Sequence, residues 1–212
     1  MQTLAGFFRD GGLFMYFILA VFVAGMAIIM ERVYILIHKY NINARALWDK
    51  ISKLIMAGEM DRVQKLCGGS DAPLLKILHA GVSSADASDR EIQNSIDEVS
   101  LEVIPLITKR IAYLSTLANV ATLLGLLGTI QGLVQAFSAV GSAEPSQKAA
   151  LLAGGISVAL YTTAFGLIVA IPILVMYTIL QVKAHKITDE IDEFSVKLIN
   201  LLDRRRNGLQ AK

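Results

Sequence analysis

Two long stretches of this chain, 111–143 and 149–182, contain no Asp, Glu, Lys, Arg or His, and only Glu144-Pro145-Ser146-Gln147-Lys148 separates them. A helix needs about 20 apolar residues to cross a bilayer, and each stretch exceeds that. Neither is a plain lipid anchor, because Gly, Thr and Ser recur throughout both. The pair therefore reads as two membrane helices whose inner surfaces are polar but uncharged.

Composition agrees with a membrane chain. Of 212 residues, 54% are hydrophobic and 18% charged, with a mean hydropathy of +0.55. A soluble domain of this size carries more charge. A third apolar run, residues 11–30, is closed by Glu31-Arg32. The expected organisation is a periplasmic N-terminus at 1–12, spans at 13–37, 111–138 and 150–182, a cytoplasmic helical segment at 38–110, a periplasmic loop at 139–149, and a cytoplasmic helical tail at 183–212. The first run is expected to stay as a span and not to be cleaved as a signal peptide. Arg9 stands beside Asp10 on its N-terminal side, its cations follow it, and no Ala-x-Ala site precedes them.

Orientation follows from Lys and Arg. With 1–12 and 139–149 outside, only Arg9 and Lys148 lie there, and the remaining 18 of the 20 Lys and Arg lie inside. That asymmetry is a positive-inside signal. It sets the N-terminus outside and the C-terminus on the cytoplasmic side of a multi-pass chain. Arg204-Arg205-Arg206 reads as an inside anchor or a solvated helix end, and no nucleic-acid role is expected. Cys67 is the one cysteine, so no intrachain disulfide forms. It reads as a small buried residue near a turn.

The polar segments read as helices. Asn43 caps a helix over 43–66 with Leu47, Ile51, Leu54 and Ile55 in helical register, and Gly58-Glu59 is a point of interruption. A turn cluster spans 67–73, and a short helix covers 74–82. Ser88-Asp89-Arg90-Glu91 is a capping box that opens a helix with Ile92, Ile96, Val99 and Val103 on one face. Pro105 is expected to kink this helix without ending it, giving one helix over about 89–138. Span three runs without a breaker into Lys183–Asp203, where Ile187, Ile191, Phe194 and Leu198 keep helical spacing. The two long helices are expected to pair as an antiparallel hairpin. The fold class is an all-α membrane protein with three transmembrane helices, spans two and three continuing as long cytoplasmic helices.

The spans carry the functional signal. Ala118, Thr122, Gly125, Thr129, Gly132 and Ala136 recur in steps of four and three, which sets them along one helix face. Span three has Gly155, Ala159, Thr162 or Thr163, Gly166 and Ala170. Small residues mark close helix approach in lipid, so packing alone is one account of the Gly and Ala positions, and a pathway lining is the other. A Thr hydroxyl can bond back to its own helix, or it can offer a neutral oxygen to a cation or to a partner's carboxylate. No carboxylate lies between Glu102 and Glu144, nor between Glu144 and Asp189. Glu31 and Arg32 read as an interfacial pair. The chain alone is thus not expected to conduct ions efficiently.

Two motifs bear a specific resemblance. Leu123-Leu124-Gly125-Leu126-Leu127-Gly128-Thr129-Ile130-Gln131-Gly132-Leu133 and Gly155-Ile156-Ser157-Val158-Ala159-Leu160-Tyr161-Thr162-Thr163-Ala164-Phe165-Gly166 are similar to the core of the MotA/TolQ/ExbB family. The three-span, N-out arrangement resembles its TolQ/ExbB branch. The resemblance implies a homo-pentamer around a dimer of a single-span MotB/TolR/ExbD-like partner that brings an intramembrane Asp. It also implies ion flow that rotates one component against the other and does work in the periplasm. Thr129 and Thr163 match the family's threonines of spans two and three. Val158 departs from the pattern, since TolQ/ExbB members commonly have Glu there. The adjacent hydroxyls resemble sodium-driven stators, so the transported ion is expected to be H+, with Na+ as the alternative.

The expected ion-pathway residues are Thr129, Thr162 and Thr163. Thr122, Gly125, Gly132, Gly155, Ala159 and Gly166 are expected to line or pack it. No cofactor, metal site or enzyme activity is expected. His38, His79 and His185 are scattered, and Gly125-x-x-Gly128 lacks the Lys-Ser/Thr of a phosphate loop. The rival readings are a non-conducting membrane scaffold and a small-molecule permease subunit. A permease would need a polar pocket at mid-membrane, which the spans do not show.

Overall fold

The computed structural model describes residues 12–40 and 42–210, so the expected N-terminal segment lies almost wholly outside it. The described residues form helices and no strand. They are α1 (Phe14–Val33) continued by a π-helical turn (Tyr34–Lys39), α2 (Ala44–Met56), α3 (Met60–Gly68), α4 (Pro73–Ser83), α5 (Asp89–Thr108), α6 (Ile111–Ser142) and α7 (Lys148–Gln210). Three helical regions are long and apolar enough to cross a membrane, and they include α1, α6 and the first half of α7. The all-helical, three-span class is as expected.

The chain divides into two compact units. One holds the described residues up to Glu31 together with Arg110–Ile179, and the other holds Arg32–Lys109 and the residues from Leu180 on. The first contains the apolar helices. Met15, Ile18, Gly25 and Ile29 form the buried face of α1, and at Gly25 the helix packs on Ile173 of α7.

The second unit is a small helical bundle. Helix α2 starts where Asn43 accepts the N–H of Ala46 (3.2 Å), and it buries Ile51 and Ile55. The expected helix over 43–66 is broken at Ala57–Glu59, where Gly58 has φ +81°. Glycine adopts that conformation without a Cβ penalty. Pro73 opens α4 at its first turn, where the missing N–H costs nothing. Leu198 and Ile96 close over Gly81, and Trp48 lies against Phe194 with ring centroids 5.6 Å apart. Cys67 is buried, and burial pushes its thiol up to about 11. Asp71 takes Lys39 at 3.2 Å and Lys76 at 3.4 Å. Hydrogen bonding to Lys39 is the larger cause that holds its carboxyl below the ordinary range.

The capping box forms as the spacing predicts. Ser88 Oγ accepts the N–H of Glu91 (3.3 Å), and Glu91 accepts the N–H of Ser88 (2.9 Å). The expectation of one helix from 89 to 138 is corrected. Pro105 sits inside α5 without ending it. The break falls later, at Lys109 and Arg110, and Arg110 adopts the left-handed region at φ +62°. On one side of the break Arg110 pairs with Glu31 at 2.6 Å, and on the other the buried Arg32 donates to the carbonyl of Leu106 at 3.2 Å. That carbonyl belongs to the last turn of α5, whose acceptors have no helical donor.

Ser88→Ala is expected to lower the thermal unfolding midpoint in detergent by about 2–4 °C, the shift that follows loss of ~1 kcal/mol of capping. Ser88 donors hold the Glu91 carboxyl below its ordinary range. A lowered carboxyl stabilises the fold above its unfolded value and ceases to as pH falls through the folded one. The gap between Ser88→Ala and the parent is therefore expected to narrow under acid.

Candidate functional site

Helices α6 and α7 meet along their small residues. The contact runs antiparallel, with rising numbers on α6 facing falling numbers on α7. A Cβ placed on Gly166 would lie 2.8 Å from the carbonyl oxygen of Ala121 and 3.1 Å from Gly125 Cα. One on Gly125 would lie 3.3 Å from Thr163 Cα, one on Gly132 3.2 Å from Ala159 Cα, and one on Gly155 2.2 Å from the Ala136 Cβ. Apolar side chains gain nothing by leaving lipid for protein, so close backbone contact is what such helices have to hold them together.

Beyond Ile111 and Leu114, the buried face of α6 is Ala118, Ala121, Gly125, Gly128, Gly132 and Ala136. The expected face included Thr122 and Thr129 in place of Ala121 and Gly128. Both spacings fit a helix, and the structure selects the one that brings the smaller residues to the contact. Thr122 and Thr129 stand one residue further on, about 100° around the helix. Thr122 is exposed and Thr129 half-buried. The Gly125-x-x-Gly128 spacing is the signal that would have found Gly128.

The threonines divide by environment. Thr122 donates to the Ala118 carbonyl (3.1 Å), Thr129 to Leu126, and Thr162 to Val158 (2.8 Å). Thr162 is 0% exposed. Its methyl fills the space over Gly128, where a glycine Cβ would come within 2.2 Å of Cγ2. Thr163 is half-buried and reaches across, its hydroxyl donating to the Gly125 carbonyl at 3.1 Å. In an α-helix that carbonyl also accepts the N–H of Thr129. One peptide oxygen thus ties the two half-buried threonines to a single point.

These bonds use the single proton of each hydroxyl and leave oxygen lone pairs. The hydroxyls of Thr129 and Thr163 can accordingly accept from a donor or ligate a cation. Val158 is half-buried and lies beside Gly12, which would place a Cβ 3.9 Å from Val158 Cγ1. Glu31 and Arg32, expected as an interfacial pair, make the contacts to Arg110 and to Leu106 described above. Among the described residues no cluster of His, Cys, Asp or Glu has the makings of a metal site.

The sequence profile of the MotA/TolQ/ExbB proton channel family matches residues 69–193, more than half of the chain and all of the α6–α7 contact. The chain belongs to this family. It is 28% identical over 195 residues to an ExbB homolog of biopolymer transport from Methanothermobacter thermautotrophicus, covering 92% of this chain and 67% of that protein. An ExbB-like biopolymer transport protein of Synechocystis is 28% identical over 172 residues, 81% of each chain. The Tol-Pal system protein TolQ of Haemophilus influenzae is 30% identical over 126 residues, 58% of this chain and 55% of that one. Membership and the three apolar helices together make this a multi-pass membrane protein.

Gly166→Ala is expected to destabilise the α6–α7 pair, because its Cβ meets a backbone oxygen that cannot turn away. Gly154→Ala meets nothing within 4 Å and is expected to be silent. Overpacking of this kind costs about 1–3 kcal/mol, and thermal unfolding in detergent measures the difference. Gly155→Ala is expected to be partly rescued by Ala136→Gly.

Proposed function

We propose that the chain is the ion-conducting subunit of an inner-membrane motor that couples an ion gradient to mechanical work in the periplasm. In this reading five copies surround a dimer of a single-span ExbD/TolR/MotB-like protein. The observation that carries it is the half-buried pair Thr129 and Thr163, whose hydroxyls donate to the Leu126 and Gly125 carbonyls in a membrane interior without any carboxylate of its own. Hydroxyl oxygens can pass an ion or hold a partner's acid in place, but they bind no cation strongly by themselves. Intramembrane ionisable groups normally mark ion paths, so the Asp that completes this path belongs to the partner. Thr162 serves packing in this reading, since its methyl and hydroxyl are taken up within the helix pair.

The proposed orientation is N-terminus periplasmic and C-terminus cytoplasmic, from the Lys and Arg asymmetry. The proposed ion is H+. Val158 stands where TolQ/ExbB relatives commonly carry Glu, which favours Na+ as the second possibility, and replacing Na+ by K+ in the flux assay separates them. A non-conducting scaffold is the rival reading, favoured by the use of Gly125, Gly132, Gly155 and Gly166 in helix contact. It requires that neutralising the partner's Asp leave function intact.

The test is ion uptake into vesicles holding the chain and its partner. Thr129→Val and Thr163→Val are each expected to slow uptake at least about tenfold, the effect of losing one hydrogen-bond-sized interaction of ~1.4 kcal/mol at the barrier. Thr163→Ser keeps the hydroxyl and is expected to retain most of the flux. Unchanged uptake in both Val variants, with assembly intact, refutes the assignment.

A further inference from the structure

The ion path does not use the run Arg204-Arg205-Arg206, and the structure gives its three cations separate surroundings. Arg206 is engaged: it donates to the Ala87 carbonyl at 3.0 Å and pairs with Asp89 and Asp203. Arg205 lines a small cavity together with Asp86. Arg204 forms no ion pair among the described residues. It lines a different cleft, of about 320 Å³, between α2 and α7. Arg204 stands 22 residues beyond residue 182, where the charge-free stretch ends. Cations that set membrane topology lie within about 15–20 residues of a span end, so Arg204 is free for another task.

The lining of this cleft carries one sign of charge. Trp48, Ser52, Lys197, Asn200, Leu201 and Arg204 surround it, two cations and no carboxylate. Lys197 sits over the Phe194 ring, 4.9 Å from its centroid, and Phe194 in turn lies against Trp48. The ion pair of Lys197 with Glu193, one turn earlier, is exposed on both sides. Water screens such a pair, so Lys197 can turn to a more highly charged anion at little cost. Hydrogen bonding from Lys197 is the largest cause that holds the Glu193 carboxyl below its ordinary range, and Arg45 of α2 is a smaller one. A third cation thus acts on the same flank. Asp49 of α2 is exposed and is not part of the lining. Ser52 donates to the Asp49 carbonyl at 3.3 Å and keeps its oxygen lone pairs. Asn200 adds an amide with both donors and an acceptor. Trp48 is half-buried and supplies a flat apolar wall.

We infer that this cleft binds a nucleoside monophosphate, its base against Trp48 and its phosphate at Lys197 and Arg204. A guanidinium and an ammonium facing one space are suited to a compact, doubly charged anion. An indole beside them is a stacking surface for a planar ring. The Asn200 amide and the Ser52 oxygen can pair with base edges or ribose hydroxyls, which a simple aromatic acid lacks. The volume lies at the small end of the range for organic ligands, about 300–1,000 Å³, which fits a mononucleotide better than a larger cofactor. The inference goes beyond the ion path and depends on neither conduction nor a partner chain.

Trp48 is the only tryptophan of the chain, so intrinsic fluorescence of the full chain in detergent reads this cleft directly. Adenosine, guanosine, cytidine and uridine monophosphates are titrated in turn, with isothermal calorimetry as a second readout. At least one is expected to give a saturable change in Trp48 fluorescence. The matching nucleoside, a ring without the anion, and inorganic phosphate, an anion without the ring, are each expected to bind at least about tenfold more weakly. Arg204→Ala and Lys197→Ala are each expected to weaken nucleotide binding at least about tenfold. Arg205→Ala, outside the lining, is expected to leave it unchanged. Both lining cations are exposed, so these variants are expected to fold, and thermal unfolding checks that they do. No saturable binding of any of the four nucleotides by either readout overturns the inference. Equal affinity for inorganic phosphate overturns it in favour of an anion site alone, and equal affinity for the nucleoside in favour of an apolar cleft alone. Unchanged nucleotide binding in both Arg204→Ala and Lys197→Ala overturns it as well.

Discussion

The close contact of α6 with α7 is the constraint on which the rest of the membrane unit depends. Lipid offers apolar side chains as good a surrounding as protein does, so association has to come from backbones that approach closely. At Gly125 and Gly166 the approach is near enough that an added Cβ meets backbone atoms at 2.8–3.5 Å. That proximity is what lets the Thr163 hydroxyl reach the Gly125 carbonyl. A bulkier residue at either glycine would move the helices apart and break this bond before it altered any other polar group. Packing and polar geometry are therefore one feature.

The same contact sorts the threonines. A hydroxyl inside the helix pair has its lone pairs sealed off, which is the condition of Thr162. A hydroxyl at the margin keeps its oxygen accessible while its proton is held by a carbonyl, which is the condition of Thr129 and Thr163. Residues of the same type, two of them adjacent, thus acquire different chemical possibilities from a rotation of about 100° per residue.

Much of this was legible in the residues. Charge-free length marks spans, and the Ser88–Glu91 box, the Gly58 interruption and the Pro73 start each have a local cause that the sequence displays. Two points were not legible. The helix face of α6 was ambiguous because 118-122-125-129 and 118-121-125-128 are equally good helical series, and only the partner helix decides between them. The break at Arg110 was hidden because neither Lys109 nor Arg110 is a helix breaker. It is held by Glu31 and sits beside the Arg32 contact to Leu106, and both anchors come from residues more than 70 positions earlier. Pro105, the visible breaker, had no such support for a bend and remains within α5.

The neutrality of the interior constrains how such a path can work. A buried carboxylate in this chain would hold a cation or a proton between transport events, and its charge would carry a desolvation cost whenever unpaired. Neutral hydroxyls avoid that cost and bind weakly, which suits passage, since conduction needs sites that an ion can leave as readily as enter. Weak sites alone give little selectivity or coupling, however. In the proposed reading both are conferred by a charged group that is present only when another chain is in place. With Val at 158, the wall near Gly12 adds no charge of its own. On that reading the path stays closed in the unassembled subunit for want of chemistry, without requiring a gate.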